Sequence, residues 1–228
     1  MSGEERLPPE GFRQRGALPT GTRLLMIRHG ESFANEQGRA GGPLGDGGLT
    51  DRGRAQARAL AARLARTGEL AAASAFYTST LPRAIETGAI VLPAIGAKLS
   101  AVTDESLEEL GVGEADGLTW EEIAQRYEAP DWNVDPYALN VPGGESLMGF
   151  FERCALAIDR LVARHPAELV VLVVHGGFIE QALKVYQGVG GAVRLRPRIE
   201  FCSMSEFEFD GERRRLLRYN DLSPMGAA

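Results

Sequence analysis

Leu24-Leu25-Met26-Ile27-Arg28-His29-Gly30-Glu31-Ser32 decides how this chain of 228 residues is read. An apolar run ends abruptly in Arg-His-Gly. A short buried strand here delivers Arg28 and His29 side by side at its carboxyl end, where open α/β sheets build their sites. Gly30 allows a sharp turn and a close approach of backbone to a ligand. An arginine fork beside an imidazole suits an anion, above all a phosphate. Taken alone, the same residues also describe an ordinary strand end with two polar side chains at the surface.

Working outward, strands and helices alternate. Thr22 to Ile27 is the first strand and Glu36 to Gly48 a glycine-rich loop. Thr50 caps a helix whose apolar stripe is Ala55, Ala59, Leu60 and Leu64, and Gly53 spoils its capping box. Its arginines read as a solvated face. Ala75 to Thr78 is a second strand. Ser79 or Thr80 caps the next helix, which carries Ile85, Ala89 and Leu92 and ends at Pro93. Ala101 to Thr103 is a third strand, and Thr119 with Glu122 forms a capping box. A long helix spans Ser146 to His165. Leu169 to Val174 is a fully apolar strand, ending in His175-Gly176-Gly177 before a helix over Phe178 to Gln187. Phe201, Ser203, Ser205, Phe207 and Phe209 alternate onto one face. Asp210-Gly211 turns the chain into a returning strand over Arg214 to Tyr219.

The expected fold is therefore α/β: a three-layer α/β/α sandwich whose mostly parallel sheet ends in an antiparallel hairpin near the C-terminus. A single domain spans 22 to 220, between a flexible N-terminal arm over 1 to 21 and a C-terminal tail over 221 to 228.

A net charge of −6 supplies no basic field for nucleic acid. No apolar run is long enough to span a bilayer. The start of the chain is polar rather than signal-like, so the expected compartment is the cytoplasm. Cys154 and Cys202 lack metal-ligand spacing and read as small buried hydrophobes. His165 reads as a surface cap at a helix end.

Parallel strands bring Arg28, His29 and His175 to one sheet edge, and Arg83 falls in the first turn of its helix near that edge. Two arginines and two histidines at one place hold enough positive charge to offset a phosphoryl group in transfer.

Arg28-His29-Gly30-Glu31-Ser32 with Asn35, then Ser79-Thr80-Leu81-Pro82-Arg83-Ala84, then Val174-His175-Gly176, resembles the histidine phosphatase superfamily in its phosphoglycerate-mutase-like branch. Leu49-Thr50-Asp51-Arg52-Gly53, Leu107-Glu108-Glu109 and Pro142-Gly143-Gly144-Glu145-Ser146 add to the resemblance. It implies that His29 is a nucleophile forming a phosphohistidine. Arg28, Arg83 and His175 would hold the phosphoryl oxygens, with Ser32, Asn35 and Gly176 as further substrate contacts. Glu109 aligns with the family's general acid and base, and Glu108 is the competing assignment. The resemblance implies no metal and no cofactor. The expected partner is a small phosphorylated substrate or a phosphoprotein, and a homodimer is left open.

A mutase needs cations for a second anionic group. Residues 117 to 141 contain Arg126 as their one cation among several acidic residues. That departs from the mutase pattern and favours hydrolysis over phosphoglycerate ligands. Phosphoglycerate-mutase-type transfer and a non-catalytic phosphate-binding module are the alternatives. Phe33, Trp120, Trp132 and Tyr137 are candidates for a partly apolar substrate lid.

Overall fold

The two most apolar segments of the chain lie side by side at the centre of the sheet. The computed structural model describes residues 21–96, 98–211 and 213–222. Its strands are β1 (Thr22–Arg28), β2 (Ala73–Thr78), β3 (Ala101–Thr103), β4 (Leu169–Val174), β5 (Met204–Asp210) and β6 (Arg213–Asp221). They form one six-stranded sheet in the order β3-β2-β4-β1-β5-β6. The first four positions are parallel, and β5 and β6 run antiparallel. Nearly all of the expected N-terminal arm and C-terminal tail lies outside the described residues. β6 itself continues pairing to Asp221, opposite Met204.

The helices are α1 (Phe33–Glu36), α2 (Asp51–Thr67), α3 (Pro82–Val91), α4 (Trp120–Arg126), α5 (Leu147–Arg164) and α6 (Gly176–Gln187). The strand period of two assigns each central residue to a layer. Leu25, Ile27, Val171 and Val173 pack with Ala57, Leu60 and Leu64 of α2 and with Ala84 and Val91 of α3. Leu24, Met26, Val170, Leu172 and Val174 pack with Phe150, Cys154 and Ile158 of α5 and with Phe178 and Ala182 of α6. Each fully buried aliphatic side chain here contributes about 1.5–3 kcal/mol.

Several local expectations shift. The buried stripe of α2 is Gly53, Ala57, Leu60 and Leu64, not Ala55 and Ala59. Thr50 does cap this helix, accepting from Gly53 N. Gly53 is small for a tertiary reason: a Cβ there would strike the Glu31 carbonyl. Likewise a Cβ on Gly30 would lie 2.6 Å from Gly53 O, so Gly30 serves helix packing rather than a close approach to a ligand. Arg63 leaves the solvated face of α2 to bridge Glu69 and Asp221 at 2.7 and 2.6 Å. These contacts hold Arg63 above its usual range; burial opposes the shift at Glu69, but hydrogen bonds from Arg63 and Arg218 bring it to about 2.

Leu81, not Ser79 or Thr80, precedes α3, and Pro82 supplies its first turn. The buried face of α3 carries Arg83, Ala84, Thr87, Gly88 and Val91, which leaves Ile85 exposed. The Ser32 side chain accepts from Asn35 N and caps the short α1, whose last residue, Glu36, is where the glycine-rich loop was expected to start. Phe201 lies before β5 and packs on Arg28 rather than sharing the strand face. His165 caps α5 but is not a surface residue, since Tyr77 Oη and Glu168 hold its two ring nitrogens at 3.0 and 2.8 Å. Cys154 and Cys202 are both free and buried.

Candidate active site

Register builds the floor of the site. Arg28 pairs with Val174, and His29 N donates to Val174 O at 3.0 Å. Ser79 N donates to Val173 O at 3.0 Å, so three strand ends stop at one level. His29 and His175 follow two of these ends, with ring centroids 5.1 Å apart.

Arg83 enters from the first turn of α3. Its Nε lies 3.1 Å from His29 Nε2 and 3.2 Å from His175 Nδ1. A guanidinium can only donate, so both nitrogens accept. The opposite ring atoms agree with that tautomer. His29 Nδ1 donates to Gly30 O at 2.6 Å, and His175 Nε2 donates to Ser79 Oγ at 2.8 Å. Both histidines are buried, and that burial, reinforced by Arg83 and Arg28, holds them well below their usual range. They are neutral at pH 7. His29 Nε2 thus carries a lone pair facing the cleft.

Asp46 orients Arg83. Its buried carboxylate accepts from Arg83 Nη1 at 2.9 Å and from the Arg83 backbone N at 3.3 Å. Gly41 O accepts from the same Nη1 at 2.7 Å. Burial pushes Asp46 above its usual range, and Arg83 opposes that push.

Arg28 lies with its guanidinium carbon 4.0 Å from the Phe201 ring centroid, and its Nη1 donates to Ile199 O. Its Nε is buried without a protein acceptor. A buried donor in that state suits an anionic oxygen.

Glu109 stands across the cleft. Its Oε2 accepts from Gly177 N at 2.9 Å. Glu108 instead points to Thr80 Oγ1 and does not line the cleft. Arg153 holds the backbone on which Glu109 sits, donating to Ser106 O, Glu108 O and Glu109 O at 3.0–3.1 Å. Glu145 fixes Arg153 through a two-pronged contact at 2.8 and 2.7 Å, and accepts from Gly111 N at 2.8 Å.

The cleft has a volume of about 350 Å³ and is lined by Arg28, His29, Asn35, Arg83 and Glu109, with His175 buried beneath. Asn35 Oδ1 is taken by Ser32, which leaves the amide NH2 for a ligand. Two expected contacts fall elsewhere. Ser32 is buried as a helix cap, and Gly176 packs behind Arg28 while Gly177 lines the cleft. Of the four aromatic lid candidates, Trp120 alone lines it.

Asp46 and Arg153 were not singled out from the sequence. Asp46 lies among six glycines of a loop, and only the fold shows that this loop wraps Arg83. The cleft is also richer in cations than residues 117 to 141 suggested. Arg39, Arg194 and Arg196 line its wall, brought there from other loops.

The profile described as "Histidine phosphatase superfamily (branch 1)" matches residues 24–222. The chain belongs to this superfamily and is an enzyme of its phosphatase class. It is 32% identical over 206 residues to phosphoglycerate mutase-like protein 4 of Arabidopsis thaliana, covering 88% of this chain and 85% of that one. It is 34% identical over 198 residues to a bifunctional protein of Mycobacterium tuberculosis, of which it spans 52%, about half, with 85% of this chain covered. The structure of mycobacterial glucosyl-3-phosphoglycerate phosphatase with VO3 superposes with a TM-score of 0.70 at 27% identity, over 87% of this chain and 99% of that one.

Among the described residues, no helix is long and apolar enough to cross a membrane.

Proposed function

We propose that this protein hydrolyses phosphomonoesters through a phosphohistidine on His29, without a metal ion. The observation that carries this reading is the position of Arg83 Nε between His29 Nε2 and His175 Nδ1, with Glu109 facing them across the cleft.

The ester's phosphoryl oxygens take the N–H groups of Arg28, Arg83 and Asn35. His29 Nε2 attacks phosphorus, so an N–P bond forms as the P–O bond to the alcohol breaks. Glu109, protonated at this stage, gives its proton to the leaving oxygen. Water then attacks the phosphohistidine and passes a proton to Glu109. Inorganic phosphate leaves, and His29 and Glu109 return to their starting forms. His175, donating to Ser79 Oγ, keeps its Nδ1 toward Arg83 and so fixes the guanidinium plane. The arginines supply the electrostatic stabilisation that a divalent cation provides in other phosphoryl-transfer sites.

The test is p-nitrophenyl phosphate turnover with a chelator present, together with acid quenching after mixing with labelled ester. The expected result is chelator-insensitive hydrolysis and an acid-labile phosphoenzyme, both lost in His29→Ala. Undiminished turnover by His29→Ala would remove the mechanism.

A further inference from the structure

The cleft carries more positive charge than one phosphoryl group uses. Five arginines line it: Arg28, Arg39, Arg83, Arg194 and Arg196. Asp46 offsets Arg83, and Glu180, the other acidic residue beside Glu109 in the lining, faces buried Lys184 at 3.5 Å. In formal charge, the five arginines still exceed Asp46, Glu109 and a bound phosphate dianion together. Arg39 is a brace, donating to Gly117 O at 2.8 Å and to Gln37 at 3.1 Å. Arg194 and Arg196 have no carboxylate partner among the described residues.

Both arginines are exposed, on an irregular segment that is fixed on either side. Buried Lys184 donates to Gly191 O at 3.1 Å, and Arg28 of the catalytic floor donates to Ile199 O. Tyr219 Oη donates to Arg198 O at 2.6 Å. Between these anchors, Leu195 packs against the core, while Arg194 and Arg196 on either side of it line the cleft. The Arg194 guanidinium lies 5.5 Å from the Trp132 ring centroid. Stacking occupies a face of the fork and leaves its edge N–H groups for a ligand. Arg196 has φ of 46°, in the left-handed region, directly before Pro197. A non-glycine residue held there carries backbone strain.

We propose that Arg194 and Arg196 form a second anion subsite at the mouth of the cleft. The substrate is then a small phosphomonoester whose alcohol portion bears a second anionic group, a carboxylate or another phosphate. The cleft volume of about 350 Å³ is at the small end of ligand sites, which fits a compact metabolite rather than a protein segment. This inference rests on the phosphatase reading for where the first phosphoryl group sits.

The experiment is calorimetric titration in a His29→Asn background, so that no ester is consumed. The probes are 3-phosphoglycerate, glycerol 3-phosphate and propane-1,3-diol bisphosphate. At least one of the two doubly anionic probes binds about 10–100-fold more tightly than glycerol 3-phosphate, the range expected for charge-assisted hydrogen bonds. Which one does so separates carboxylate from phosphate. Arg194→Gln and Arg196→Gln each lose part of the preference, and the double variant abolishes it. Equal binding of all three probes overturns the inference, and so does a preference that survives the double variant. Wild-type turnover of p-nitrophenyl phosphate is read separately. Its absence counts against the phosphatase reading and leaves the binding comparison standing.

Discussion

Gly177 N and Glu109 Oε2 lie 2.9 Å apart, and a Cβ on Gly177 would run into the other carboxylate oxygen of Glu109. The first turn of α6 is therefore both a donor to the candidate acid and the wall that sets its position. Alanine favours helices over glycine by about 1 kcal/mol, so Gly177→Ala keeps the fold. It pushes Glu109 off the leaving-group oxygen. We expect kcat to fall at least about tenfold, as misplacement of a proton donor by an ångström can cost that much or more. Thermal unfolding and steady-state kinetics on one preparation check both halves.

Asp46→Asn tests the orientation of Arg83. The neutral amide can still accept from Arg83 Nη1, but it no longer compensates a guanidinium that is nearly fully buried. Breaking a buried pair costs about 3–5 kcal/mol. The expected outcome is a lowered unfolding midpoint with a loss of phosphate affinity. Added inorganic phosphate, by binding the native state, recovers part of the stability. A variant as stable and active as wild type would show that Arg83 needs no counter-charge.

Arg153→Met removes the clamp on the backbone from Ser106 to Glu109 while keeping its packing volume. Arg153 touches no substrate, so KM for a simple ester changes little and kcat falls. Because Glu109 also serves the hydrolytic step of the proposed mechanism, the phosphoenzyme is expected to persist longer than in wild type. Rapid-quench measurement of its lifetime separates this positioning role from a loss of folded protein.

The buried imidazoles give stability a pH dependence of known sign. In the unfolded chain His29 and His175 titrate near 6.5, and in the folded protein burial and Arg83 hold both well below that value. Between the two values the unfolded state binds more protons. Stability is full above about pH 6.5 and declines on acidification, by about 1.4 kcal/mol per pH unit for each histidine. Unfolding free energy measured from pH 7.5 to 5 should fall, and His175→Asn should flatten the slope. A stability that rises toward pH 5 would mean that the pair is protonated in the native state.

Much of this was legible in the sequence because both central strands carry an unbroken apolar run that leads into chemically distinctive residues. Leu24 to His29 and Leu169 to His175 place their histidines with no help from tertiary context. Local motifs were equally legible, as the Thr119–Glu122 capping box shows. Less legible were residues whose role depends on a distant partner. Gly53 reads as a flaw in a helix until the Glu31 carbonyl is seen against it. Arg83 reads as a helix residue, while its counter-ion Asp46 hides in a loop with no period. The stripe of α2 was misjudged because several alanines compete for one face and only packing selects Ala57. Cations on the cleft wall were sought in one insertion, while the fold brought them from the loop after α1 and the segment after α6.

The single N–H of Arg83 that reaches both histidines has a consequence for timing. While it points at His29 Nε2, the lone pair that the proposed mechanism uses for attack is already occupied. On that mechanism the unliganded site holds its nucleophile capped. A phosphoryl group that drew the guanidinium onto its own oxygens would uncap His29 in the same motion. Recognition of the anion and release of the nucleophile would then be one event, and solutes without a phosphoryl group would leave the cap in place.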